Sequence, residues 1–236
     1  MKYYFDITDL VKFAQRNGSV TGIQRVQIRV LQHLSSITEK DKIFCVYAIN
    51  RLSGIRVCRS QDLFANEIYS ASRMLVRLGV ESPDEVFSKR ELYDDLAKYK
   101  KKSFRRVLRK FKLLVLGRLF PGFARVQMNL PPRLNKNTNE QKTIETWTLK
   151  GFENHDHIVM IGTNWNTSAV ENLARQHSKR GGQVSQVIYD LIPLRYPQYC
   201  TDRVPKKFKV FLNRSRSFAS QYICISEATK NDLLRY

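Results

Sequence analysis

At 236 residues the chain is long enough to bury a sizeable core, as one elaborated domain or two small ones. Its 41 Lys and Arg residues against 21 Asp and Glu leave a formal net charge of +20, which calls for an anionic neighbour such as phosphate, a membrane surface or nucleic acid. Cys45, Cys58, Cys200 and Cys224 form no CxxC pair and no short-loop framework, which excludes a disulfide-stapled mini-protein and fits a reducing cytoplasm.

In chain order, the first apolar run, Tyr3 to Ile7, predicts a strand. Asp6 and Asp9 interrupt the apolar stretch that a signal peptide needs, so export by that route is not expected. The stretch TGIQRV, Thr21 to Val26, then leads into a helix predicted over Ile23 to Leu34, with Ile23, Val26, Val30, Leu31 and Leu34 on one side and Arg25 and Arg29 on another. Gly22 offers a backbone that bends tightly and lets a ligand approach the helix N-terminus; the bland alternative is a strand-to-helix turn with Thr21 as N-cap.

Ile43 to Ile49 predicts a second strand, continued into a hairpin to Cys58 that turns at Ser53–Gly54. The regular alternation is then interrupted, between about residues 50 and 156, by a charged helical insertion. Within it, Lys98 to Arg118 holds ten Lys or Arg residues and no acid, half of the net charge in 21 positions. Phe104, Val107, Leu108, Phe111, Leu114 and Val115 recur at helical spacing, while Lys102, Arg105, Arg106, Arg109, Lys110 and Lys112 populate the other faces.

Such a basic amphipathic helix suits the surface of an anionic leaflet, with the six cations as membrane contacts. Alternatively the same stripe packs on the domain and the charges solvate it. Nucleic acid ranks lower, because no RNP-type aromatic motif, zinc-knuckle spacing or GXXG clamp accompanies the charge. The longest aliphatic run near this segment, Leu113 to Leu116, falls far short of the roughly 20 residues that span a bilayer.

From Pro121 to Glu140 the chain reads as a loop, and strand-like order resumes near His157. Ile158 to Ile161, Val184 to Tyr189 and Tyr222 to Ile225 predict three more strands, with helices over Ser168 to Lys179 and Pro205 to Phe218. Two strand ends carry chemistry. IGTNW offers Thr163, Asn164 and Trp165 as polar and stacking groups, and VIYDLIPLRYP places Asp190 just beyond a buried strand, where open α/β sheets bind ligands. A strand-terminal Asp serves equally well as a loop cap. His155, Asp156 and His157 lack further ligands at metal-binding spacing, and no GxGxxG occurs, so neither a metal nor a dinucleotide cofactor is expected.

Taken together and in this order, FDITDLV, TGIQRV, IGTNW, YDLIPLRYP and ISEATKNDL resemble the amino-terminal domain of bacterial group 1 glycosyltransferases, the retaining enzymes of the GT-B fold. The resemblance covers roughly residues 1–50 and 155–236. It implies an α/β, Rossmann-like parallel sheet flanked by helices, one half of a GT-B fold, here with a basic helical insertion. It also implies that Thr21, Gly22 and Arg25 line the cleft near the transferring sugar and its phosphates, that Asp190 lies near the acceptor, and that Ser226 and Lys230 begin the last helix.

The family's donor-binding domain, with its paired-glutamate motif, would lie beyond Tyr236. Glu145 and Glu153 show the E-x7-E spacing in the wrong segment, and no Asp-x-Asp pair occurs. The expectation is therefore an acceptor-side half for cell-surface polysaccharide synthesis, inactive alone, either truncated or completed by a separate donor domain that supplies the nucleotide-sugar site, and acting on a lipid-linked glycan at the inner face of the membrane. The rival is a non-catalytic module that binds a membrane surface or a polyanion.

Overall fold

Four short apolar runs, YYFD, IFCVY, HIVM and QVSQVI, form the parallel heart of the sheet because their side chains are wanted on both faces, and QYIC adds a parallel edge strand with one exposed face. Tyr4, Phe44, Val46, Ile158, Met160 and Val184 enter one core cluster; their neighbours Phe5, Cys45, Tyr47, Val159 and Ile161 enter the other. The computed structural model describes residues 1–15, 20–39, 41–49, 54–64, 69–80, 96–97, 103–119, 143–163, 165 and 169–236.

The described elements follow as β1 (Tyr3–Asp6), α1 (Thr8–Ala14), α2 (Gly22–Ile37), β2 (Ile43–Tyr47), β3 (Ile55–Arg59), α3 (Ser60–Phe64), α4 (Ala71–Arg77) and α5 (Phe104–Leu119). Then come β4 (Trp147–Leu149), β5 (His157–Met160), α6 (Ala169–Lys179), β6 (Gln183–Ile188), α7 (Ile192–Arg195), α8 (Arg203–Ser215), β7 (Gln221–Cys224) and α9 (Glu227–Leu234). The sheet order is β4-β3-β2-β1-β5-β6-β7.

This is an α/β fold with a seven-stranded mixed sheet flanked by helices, in which the expected parallel sheet is extended by antiparallel strands. β2, β1, β5, β6 and β7 run parallel, but β3 returns antiparallel against β2, and β4 antiparallel against β3. The cause is the hairpin at Gly54, whose φ of +69° is cheap only for glycine. Within residues 50–156, β3 and β4 thus extend the same sheet, and Leu63, Phe64, Ala71, Met74 and Leu75 of α3 and α4 join the cluster of Phe5, Cys45 and Tyr47.

The hairpin register sets Cys45 opposite Cys58, so two of the cysteines scattered in the sequence are cross-strand partners. Both are buried free thiols, and the Cys58 thiol is pushed well up by its contact with Cys45 and by burial, which keeps it protonated and inert.

The buried face of α2 is also rotated from the expected one. Gln24, Gln27, Ile28, Leu31 and Ser35 point inward, while Val26 is exposed. In α5 the apolar stripe faces out: Phe104, Val107, Leu108 and Phe111 are exposed and Leu113 is buried, so that stripe does not pack on the domain. Lys102 and the stretch Pro121 to Glu140, expected to be a loop, lie outside the described residues, as do the side chains of Arg106, Leu114 and Val115.

Candidate functional site

β1 hands the chain to β2 on one side, and its other neighbour is β5, so strand order reverses between β1 and β5. At such a reversal the connections leave in opposite directions and open a crevice at the carboxyl ends of the strands. Asp9, in the first turn of α1, stands there. Its Oδ2 accepts Gln24 Nε2 at 3.1 Å, Gln27 Nε2 at 3.4 Å and the Thr163 amide at 3.5 Å, tying the end of β1 to α2 and to the loop after β5.

Beside this junction lies a small, open cleft. Ile23 from the start of α2, Gly162, Thr163 and Trp165 from the loop after β5, and Val187 to Asp190 at the end of β6 line it, with Phe208 and Phe211 of α8 as its apolar wall. Of the residues singled out in the sequence, Thr163, Trp165 and Asp190 line the cleft, whereas Thr21, Gly22 and Arg25 do not, and TGIQRV reaches it through Ile23. Asn164 lies outside the described residues.

Thr21 is the extended residue before α2, but its hydroxyl donates to Gln24 Oε1 and does not cap the helix. No acid occupies the first turn. Thr21, Gly22 and Arg25 are exposed there, so the positive end of the helix dipole and one guanidinium face outward together. Gly22 is helical without a positive φ, and a Cβ built on it meets nothing within 4 Å; the protein itself does not demand glycine at this position.

Asp190 is half-buried, and its Oδ1 accepts the Ile192 amide at 3.0 Å, which makes it the cap of the turn into α7. Trp165 packs edge-on against Phe208, 5.5 Å between centroids and 89° between planes, so it builds the wall as well as lining the cleft. Ser226 accepts the Thr229 amide at 3.1 Å as the N-cap of α9, and Lys230 pairs with Glu227 at 3.1 Å.

Tyr189 completes the floor. Its hydroxyl donates to the Ile161 carbonyl at 2.8 Å, bridging the ends of β6 and β5, and burial together with the Asp9 charge pushes the phenol far above its ordinary range. Sequence reasoning missed Asp9, Gln24, Gln27 and Tyr189. The available hint was a pair of Gln residues three apart on a helix face that is otherwise apolar.

At the opposite end of β5, Glu153, His155 and Asp156 bring one potential ligand atom each within 4.8 Å of one another. Glu153 and His155 are exposed and paired at 3.1 Å, and Asp156 Oδ2 accepts the Glu153 amide at 2.9 Å, a loop-closing arrangement. His157 points elsewhere, to Ser185 Oγ at 2.6 Å, and burial lowers its pKa and holds it neutral.

No family model matches the chain, and comparison with curated proteins and with solved structures returns no match.

Proposed function

We propose that this domain is the acceptor-side half of a retaining, sugar-nucleotide-dependent glycosyltransferase of the GT-B type, acting on a cell-surface polysaccharide precursor. The observation that carries the reading is convergence: Ile23 at the start of α2, Thr163 and Trp165 after β5, and Asp190 after β6, far apart in sequence, line one cleft beside the point where the strand order reverses. A GT-B acceptor domain needs its chemistry at this edge, because there it faces a second domain that holds the donor.

In this reading the uncapped N-terminus of α2 and Arg25 stabilise the negative charge that grows on the departing diphosphate. Thr163 and Asp190 orient the acceptor hydroxyl, the aspartate through the oxygen that does not cap the α7 turn. Trp165 and the Phe208 wall give a sugar ring an apolar face to rest on.

The test is transfer from a labelled nucleotide sugar to a lipid-linked acceptor by the chain paired with a donor-binding domain. Asp190→Ala is expected to abolish transfer while lowering stability by about 1 kcal/mol or less, the size of a lost cap. Gly22→Val is expected to fold, since its Cβ has open space, yet to lose transfer because ligand phosphates must approach that backbone. Near-normal turnover by Asp190→Ala would reduce that residue to a loop cap and remove it from the acceptor site.

A further inference from the structure

Helix α5 turns its apolar stripe to solvent. Phe104, Val107, Leu108 and Phe111 are 79%, 62%, 54% and 66% exposed, whereas Leu113 is 0% exposed. At about 100° per residue, Leu113 stands about 180° from the centre of that stripe, so the face holding the helix to the protein is the opposite one. Arg105 and Lys112 lie on one flank of the stripe and Lys110 on the other, all exposed.

From this geometry we infer that α5 is an interfacial docking helix that seats on an anionic lipid surface, independently of the transferase reading. Two bulky aromatics and two aliphatics held in water gain nothing from a phosphodiester backbone, but they enter the acyl boundary of a bilayer while long cationic stems reach up to the headgroups. A second copy of the chain is a poor occupant. Stripe-to-stripe packing would bring the cationic flanks of two chains, each with a net charge of +20, against one another. An anionic leaflet satisfies the stripe and the charges at once.

Among the described residues no helix is long and apolar enough to cross a membrane, so the seating is in the surface plane. The helix need not rearrange to dock, because its lipid-facing side is already bare.

The experiment is flotation of the full chain with vesicles of phosphatidylcholine alone and of phosphatidylcholine mixed with phosphatidylglycerol. Binding is expected to the anionic vesicles only, and Arg105→Gln/Lys110→Gln/Lys112→Gln is expected to weaken it about 100-fold. Phe104→Ser/Phe111→Ser is expected to weaken it roughly tenfold or more with no fall in thermal midpoint, because both rings are exposed in the fold. Equal partition into neutral and anionic vesicles, absence of vesicle binding, or salt-sensitive RNA binding untouched by the Phe104/Phe111 variant would overturn the inference. So would a dimer that the same variant dissolves in a chain that leaves vesicles unbound.

Discussion

The Asp9 carboxylate accepts the Gln24 side-chain amide at 3.1 Å, and this contact between the start of α1 and the buried face of α2 fixes one wall of the cleft. Gln24 in turn accepts the Thr21 hydroxyl. The chain of bonds runs from the end of the central strand to the helix N-terminus on which the proposed phosphate contact depends.

Removing that carboxylate is expected to loosen both helix and loop. Asp9→Ala strands two largely buried Gln amides, Gln24 and Gln27, and is expected to cost about 2–3 kcal/mol in a urea melt. Hydrogen exchange at the Thr163 amide is expected to accelerate along with it. Asp9→Asn, which keeps an acceptor oxygen, is expected to recover part of the loss; a silent Asp9→Ala would show that apolar packing alone holds α2.

Asp6 supplies a pH dependence. The side chain is fully buried at the end of β1, where burial pushes its pKa up from 3.8 to about 6 despite hydrogen bonds from Thr8, with Asp9 adding to the rise. The folded protein therefore holds this proton more tightly than the unfolded chain. Its stabilising contribution is fully present below about pH 3.8 and is lost as pH rises through about 6. In paired urea melts, the stability of the wild type relative to Asp6→Asn is expected to fall by on the order of 2–3 kcal/mol between pH 4 and pH 7. A difference that stays flat across that window would mean that Asp6 ionises freely.

Gly182 is where a side chain is least tolerable. A Cβ there would stand 2.1 Å from His177 Nε2, which donates to the Asp156 carbonyl at 2.8 Å from a fully buried ring resting on Phe152. Gly182→Ala is expected to cost about 2–4 kcal/mol by displacing the imidazole and stranding that carbonyl. The double variant with His177→Ala is expected to cost less than the two changes added, because one shared clash is removed.

The parallel strands were legible because each is an apolar run bounded by polar turns, and the hairpin because Ser53–Gly54 sits between two such runs. β4 was not: WTL is three residues long, only half-buried, and becomes a strand through its partner β3. The inward turn of Gln24 and Gln27 escaped notice for a related reason. Their burial is tolerable only because Asp9, 15 and 18 positions earlier, receives their amides, and helical periodicity carries no record of a partner in another element. In α5 the spacing put Phe104, Val107, Leu108 and Phe111 on one face but did not give that face its direction, which depends on Leu113 being the residue that the rest of the fold covers.

The central place of β1 also governs the order in which this protein can assemble. β1, β2 and β3 all lie between Tyr3 and Arg59, so that corner of the sheet has its partners close by in the chain. The other edge of β1 must wait for β5, about 150 residues later, since Tyr3 pairs with His157. At about 5–20 residues per second on the ribosome, that interval is roughly 8–30 s, during which the nascent sheet shows an open, aromatic-rich edge. Pairing across that distance raises the contact order of the fold, and closure of the sheet on this side of β1 waits for His157–Met160.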